Sequence, residues 1–302
     1  MNQNCRLLRK KESAKSNKVI IIGNGAIERG SDPLEKTFED LLPASEDSNH
    51  ADWYRKNLKD KSLFLSLLSF KFRISRLELF RKIEKNGGYS KWDKIFPQPI
   101  RTFLELRKKI ASNFIDFKEQ NKISLRGSLN NGYFNKNDLF ITTNWDSLIW
   151  DDEEVSNIIQ LHGITNFPES MIMPTELITD DLMYDFLKIC DKDLLDSITK
   201  GAYSMSESDY RFMECYRFNF LTELTQAHDL CIEWISRANE IVIWGSSLST
   251  YDAELLAQIS THTNVDKIDK ITIVNPCDTA LNKAISIIGV SPNKVTKISN
   301  LE

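Results

Sequence analysis

No run of apolar residues approaches the ~20 that a membrane-spanning helix needs, so no membrane association is expected of this chain. Cysteine is scarce and scattered. Cys5, Cys190, Cys215, Cys231 and Cys277 are odd in number and include no C-x-x-C pair. That pattern gives neither a disulfide framework nor a structural zinc site, and it fits a reducing, cytoplasmic setting. Positive charge is not in excess either. A formal net charge of −4 argues against general nucleic-acid binding, so direct contact with nucleic acid is not expected. Internal repeats and low-complexity tracts are missing. The polar, basic residues 1–17 lack the apolar core of a secretory signal and read as a flexible tail.

What is present is the composition of a folded domain. Hydrophobic residues make up 41% and charged residues 27% of 302, which is enough apolar material for one large core or two modest ones. Several short, β-branched runs read as buried strands. They are Lys18 to Gly25 (K-V-I-I-I-G-N-G), Asp138 to Ile141, Ile158 to Leu161, Ile241 to Gly245 and Lys270 to Asn275, with Asn293 to Ile298 as a last candidate. Between them lie segments with helical spacing, starting at Pro33, near Ala253 and near Thr279. Strands alternating with helices indicate an α/β fold. The expectation is a Rossmann-like parallel sheet with helices on both faces, occupying residues 18–302. Two helical blocks interrupt it, a large insertion after the first strand at about 44–136 and a second block at about 175–238.

The strand ends carry the polar and glycine residues, and in open parallel sheets ligands bind just past those ends. The first ends in Gly23-Asn24-Gly25, the second in Thr142-Thr143-Asn144-Trp145-Asp146, the third in His162-Gly163 and the fourth in Gly245-Ser246-Ser247-Leu248. Asn275 ends the fifth. Taken in this order, with Pro33 downstream of the first turn, these residues resemble the sirtuin-like family, the silent-information-regulator proteins. The T-T-N-W-D form, Asp252 after the S-S-L loop and the helical blocks are closest to bacterial sirtuin-like NAD hydrolases of antiphage defence. The zinc-binding cysteine pairs of the deacylase members are absent here. Ile27 stands where a serine is usual, and Glu28-Arg29-Gly30-Ser31-Asp32 replaces the usual continuation.

The resemblance implies cleavage of the nicotinamide–ribose bond of NAD, with NAD as substrate, no metal and no further cofactor. It implies an effector that depletes NAD during infection, as a homo-oligomer or with a partner protein of a defence system. Asn144 would hold the ribose hydroxyls and a water, Asp146 the nicotinamide carboxamide, and His162 would act as general base. The backbone at Gly23, Gly25 and Ala26 would face the pyrophosphate. Thr143, Gly245, Ser246 and Ser247 would meet phosphate or ribose, and Asp252 and Asn275 the adenosine end. Each residue also has a structural alternative. Asn144, Asp146 and Asp252 are residue types that cap helices and turns, His162 can be a satisfied histidine, and G-N-G can be a tight turn with no ligand. A binding protein without chemistry is the other functional class left open.

Overall fold

The computed structural model of the chain describes residues 7–10, 16–41, 65, 98–127, 129, 133–135, 137–153, 155–173, 221–248 and 252–301. The chain divides into two compact units, 1–35 with 111–171 and 216–302, and 36–110 with 172–215.

The first unit holds a seven-stranded sheet. Its strands are β1 (Leu8–Lys10), β2 (Lys18–Ile22), β5 (Leu139–Thr142), β6 (Asn157–Gln160), β7 (Glu240–Trp244), β8 (Lys270–Val274) and β9 (Val295–Ile298). A separate two-stranded ribbon pairs β3 (Ile27–Glu28) with β4 (Ser124–Leu125). The helices are α1 (Asp32–Leu41), α2 (Gln98–Glu119), α3 (Leu221–Arg237), α4 (Ala253–His262) and α5 (Asp278–Ile288).

Across the sheet the order is β1-β6-β5-β2-β7-β8-β9. Neighbours from β6 to β9 are all parallel, and β1 alone runs antiparallel on the β6 edge. Counted in chain order, the six parallel strands lie 3-2-1-4-5-6, the doubly wound arrangement of dinucleotide-binding folds. The order reverses between β2 and β7, which creates a crevice at their carboxyl ends.

The strands read as continuous apolar runs because they are buried on both faces. Val19, Ile20 and Ile21 have no exposed surface and Ile22 has 1%, and burying each such side chain stabilises by about 1.5–3 kcal/mol. One layer gathers Ile20, Ile22, Phe140, Ile158, Val242 and Trp244 into a single cluster, with Phe134 stacked on Trp244 at 5.5 Å between ring centroids. Within this unit α3 packs on α4, and α4 on α5.

The residues read as a flexible tail include a strand. Leu8–Lys10 pair with Asn157–Ile159, Leu7 is fully buried and its carbonyl accepts from Gln160 N–H at 2.9 Å. Arg9 anchors this edge by donating to the carbonyls of Asp152 and Val155 at 3.0 and 2.7 Å. Two leucines among basic residues are too short a pattern to separate a strand from a tail. The helix expected from Pro33 is present as α1, beginning at Asp32. Between it and the first turn, Ile27 and Glu28 form β3, with Ile27 2% exposed. Of the insertion expected at about 44–136, residues 44–64, 66–97, 128, 130–132 and 136 lie outside the described residues. α2 occupies part of its second half. Of the block at about 175–238, residues 174–220 lie outside them and α3 forms the end.

Candidate active site

The site residues come together at the carboxyl edge of the sheet in two groups, one of backbone and one of side chains. The backbone group is the crossing of the turns after β2 and β7. Gly23 N–H donates to the Trp244 carbonyl at 2.9 Å and Gly25 N–H to the Gly245 carbonyl at 2.8 Å. Ala26 N–H turns back to the Gly23 carbonyl at 3.0 Å. The amides expected to face a pyrophosphate are therefore engaged within the protein. The glycines are needed for this contact. A Cβ on Gly23 would stand 2.5 Å from Ser246 Cα, and one on Gly25 2.6 Å from the Gly245 carbonyl oxygen. Gly245 has φ +67°, and its Cβ would fall 1.9 Å from the Ala26 nitrogen.

The loop beyond Gly245 is tied down in the same way. Buried Ser246 Oγ accepts from Leu248 N–H at 3.1 Å. Asn275 Nδ2 donates to the Ser246 carbonyl at 3.2 Å while its Oδ1 accepts from Cys277 N–H at 2.9 Å. Lys283 donates to the carbonyls of Ser247 and Leu248 at 3.2 and 3.3 Å. Ser247 is exposed. The Asn275 Nδ2 thus ties the β8 loop to the β7 loop, while its Oδ1 closes the turn after β8.

The side-chain group forms past β5 and β6. Thr142 pairs with Gln160 in register, so Asn144 and His162 each stand two residues beyond one matched pair of adjacent parallel strands. Thr142 Oγ1 donates to the Ile22 carbonyl at 2.9 Å and accepts from Asn144 N–H at 3.0 Å, which sets the direction in which the chain leaves β5. The Asn144 amide nitrogen is buried and has no hydrogen-bond partner among the described residues. An unpaired buried donor costs about 1–3 kcal/mol, so its presence asks for an explanation.

His162 is held between two carboxylates. Its Nε2 bonds to Glu254, and its Nδ1 stands 3.9 Å from Asp252 Oδ1. Asp252 in turn bonds the Thr143 side chain, which links β5, β6 and α4. Burial raises the Asp252 carboxyl above its ordinary pKa and Glu254 adds to this, while His162 and Thr143 oppose it. Burial also acts upward on Glu254, but the hydrogen bond and charge of His162 outweigh it and leave its pKa lowered. His228, on α3, faces the same cluster. Burial lowers its pKa, and its Nδ1 bonds Gln258. Asp252 precedes α4 but makes no side-chain cap hydrogen bond, so it is engaged with Thr143 and His162 rather than with the helix end.

Asp146 takes a different place. It is 4% exposed, its Oδ1 accepts from Leu148 N–H at 3.0 Å, and its carbonyl accepts from Gln160 Nε2 at 3.4 Å. These bonds make it the cap of the turn after β5. Burial raises its carboxyl to about 6, against the opposing Leu148 N–H. Gly163, at φ +78°, lets the chain turn beneath His162, and a Cβ there would lie 1.9 Å from the Ser170 carbonyl oxygen.

The residues that sequence reasoning passed over are Glu254, His228 and Gln258. A glutamate in the first turn of a helix is already accounted for by the helix dipole, so Glu254 carried no separate signal. Comparison of the chain with family models, with curated proteins and with solved structures finds no match in any of the three.

Proposed function

We propose that the chain is an NAD glycohydrolase that cleaves the nicotinamide–ribose bond, an effector that lowers cellular NAD in antiphage defence. The observation that carries this reading is one pair of strand ends. An Asn144 amide nitrogen, buried and without a partner among the described residues, follows one strand, and an imidazole flanked by two carboxylates follows its neighbour, at the edge where a doubly wound sheet binds ligands.

In this reading water attacks the ribose C1′ as the C–N bond breaks. Nicotinamide departs with the bond's electron pair, which neutralises its ring nitrogen. The transition state is oxocarbenium-like. The water's proton passes to the His162 imidazole, and the imidazolium so formed lies between Asp252 and Glu254. Asn144 Nδ2 donates to a ribose hydroxyl or to the water, which supplies the partner that amide lacks. With the Gly25 and Ala26 amides engaged, the diphosphate is held by other groups, of which exposed Ser247 is the nearest candidate by position.

The test is NAD consumption followed by chromatography for the wild type, Asn144→Ala and His162→Ala. The expected result is loss of about 10²-fold or more in rate in each variant. Equal turnover in all three overturns the reading. A second reading, an NAD- or ADP-ribose-binding regulator without chemistry, is favoured by the closed turn at Gly23–Ala26. Calorimetric binding with no turnover in the wild type would select it.

A further inference from the structure

We infer that Arg126 and Lys283 are the groups that meet the diphosphate of a nucleotide, a task left to side chains because the glycine turn is closed. The inference rests on the reading of this edge as a dinucleotide site.

The need is electrostatic. A diphosphate brings negative charge into the crevice at the carboxyl ends of β2 and β7, where backbone amides of the first turn commonly face it. Here the amides of Gly23, Gly25 and Ala26 bond to protein carbonyls. Cations close to that turn must then meet the anion. Several cations of this unit are already neutralised, Arg29 by Asp32, Lys118 by Asp151 and Lys297 by Asp278. Arg126 and Lys283 make no ion pair with any described residue, and both are exposed.

The fold ties each of the two to one side of the closed turn. Arg126 N–H donates to the Ala26 carbonyl at 2.9 Å. At the next residue, a Cβ on Gly127 would lie 3.0 Å from the Leu301 carbonyl oxygen and 3.7 Å from Trp244 Cζ2, so the chain passes here beside the last residue of β7. The Arg126 guanidinium makes no hydrogen bond to a described residue, which leaves its planar fork for the paired oxygens of a phosphate. Lys283 reaches from α5 to the carbonyls of Ser247 and Leu248 at 3.2 and 3.3 Å. Two neutral carbonyls hold the ammonium in place without cancelling its charge, and one of its three N–H donors remains. Ala26 and Gly245 join the two sides, since a Cβ on Gly245 would fall 1.9 Å from the Ala26 nitrogen. Charge is thus divided along the edge. Asp252 and Glu254 gather at His162, after β6, and the two unpaired cations stand by the turns after β2 and β7. A ligand with a cationic ring and an anionic diphosphate matches that order in one direction only.

The experiment is titration calorimetry of the full chain with ADP-ribose, inorganic pyrophosphate and adenosine, at low and at raised salt. The wild type is expected to bind both anions, and less tightly as salt rises. Arg126→Gln and Lys283→Gln, which keep a donor and remove the charge, should each weaken ADP-ribose about tenfold and flatten its salt dependence, with adenosine unaffected. Arg126→Lys keeps the charge without the fork and should recover part of the loss. The urea midpoint of Arg126→Gln should match the wild type, because that side chain has no bond to lose. Unchanged ADP-ribose affinity in either Gln variant, an equal loss for adenosine, or no binding of either anion by the wild type overturns the inference. Turnover is read separately. NAD hydrolysis with an unmoved KM in both Gln variants would sink this inference and spare the hydrolase reading, while anion binding lost in the variants of a chain that never turns over NAD would do the reverse.

Discussion

Two regions at one edge of the sheet use their residues in opposite ways. In the turn after β2, the amides of Gly23, Gly25 and Ala26 are bonded within the protein. Gly25 N–H reaches Gly245, Ala26 N–H reaches Gly23, and the glycines lack Cβ atoms because neighbouring backbone occupies the space. Past β5 and β6 the reverse holds. Asn144 keeps a buried donor with no partner among the described residues, and His162 lies between the carboxylates of Glu254 and Asp252. A folding chain has every reason to satisfy its polar groups. The first region obeys that tendency and the second departs from it, which is the ordinary sign of a site. The glycine turn thus braces β2 against β7, and the proposed chemistry is assigned to the strand ends on the β5 side.

The largest effect that tests this contrast comes from Gly245→Ala. The added Cβ falls 1.9 Å from the Ala26 nitrogen, at φ +67°, so both the turn and the residue's own backbone must change. The expected cost exceeds about 4 kcal/mol, seen as insoluble protein or a collapsed urea midpoint. Asn144→Ala should change stability by no more than about 0.5 kcal/mol, because its amide nitrogen has no bond to lose. A well-folded Gly245→Ala variant beside a badly destabilised Asn144→Ala variant would reverse the assignment of brace and site.

Asp146 gives the next effect, of opposite sign. Its carboxyl is raised to about 6 by burial, against about 3.9 in an unfolded chain. Between those values the folded state binds a proton that the unfolded state has released. Stability therefore falls as pH rises through that window, and the full cost of the buried charge is present above it. Asp146→Asn keeps an acceptor for Leu148 N–H and removes the charge. It should stabilise the chain by about 1–3 kcal/mol at pH 7.5 and leave it unchanged near pH 4, measured by urea unfolding at both values. No gain at pH 7.5 would mean that the carboxylate finds compensation in the native state. Gain in stability with loss of NAD turnover would mark a charge retained for chemistry.

The sheet was readable because parallel strands are buried on both faces and so appear as unbroken Val and Ile runs, as in Lys18–Ile22 and Lys270–Val274. The order of polar strand ends was readable for the same reason, since each follows its run at once. Less was readable in the loops. G-N-G looks the same in sequence whether its close neighbour is a phosphate or another backbone, and the Gly25–Gly245 contact is visible only in the fold. Leu8–Lys10 is too short to carry a period. Glu254 was hidden because it lies 92 positions from His162, and its pairing is a product of the β7–α4 path rather than of any local pattern. Asp252 reads in sequence as either a helix cap or a ligand contact; it makes no cap bond and turns to Thr143 and His162.

The smallest effect concerns Asn275, which stands on the border between the two regions. The resemblance places it at the adenosine end of a ligand, while the fold uses both ends of its amide, to Ser246 and to Cys277. If its work is bracing, Asn275→Ala should cost about 1–2 kcal/mol, the loss of two hydrogen bonds, and should leave the KM for NAD within about twofold. Asn275→Asp keeps the acceptor for Cys277 N–H and loses the donor to the Ser246 carbonyl, so it should fall between Ala and wild type in urea unfolding. A raised KM with unchanged stability would move Asn275 into the site. It would then extend the site across β7 to β8, beyond the cluster joined by Thr143, His162, Asp252 and Glu254.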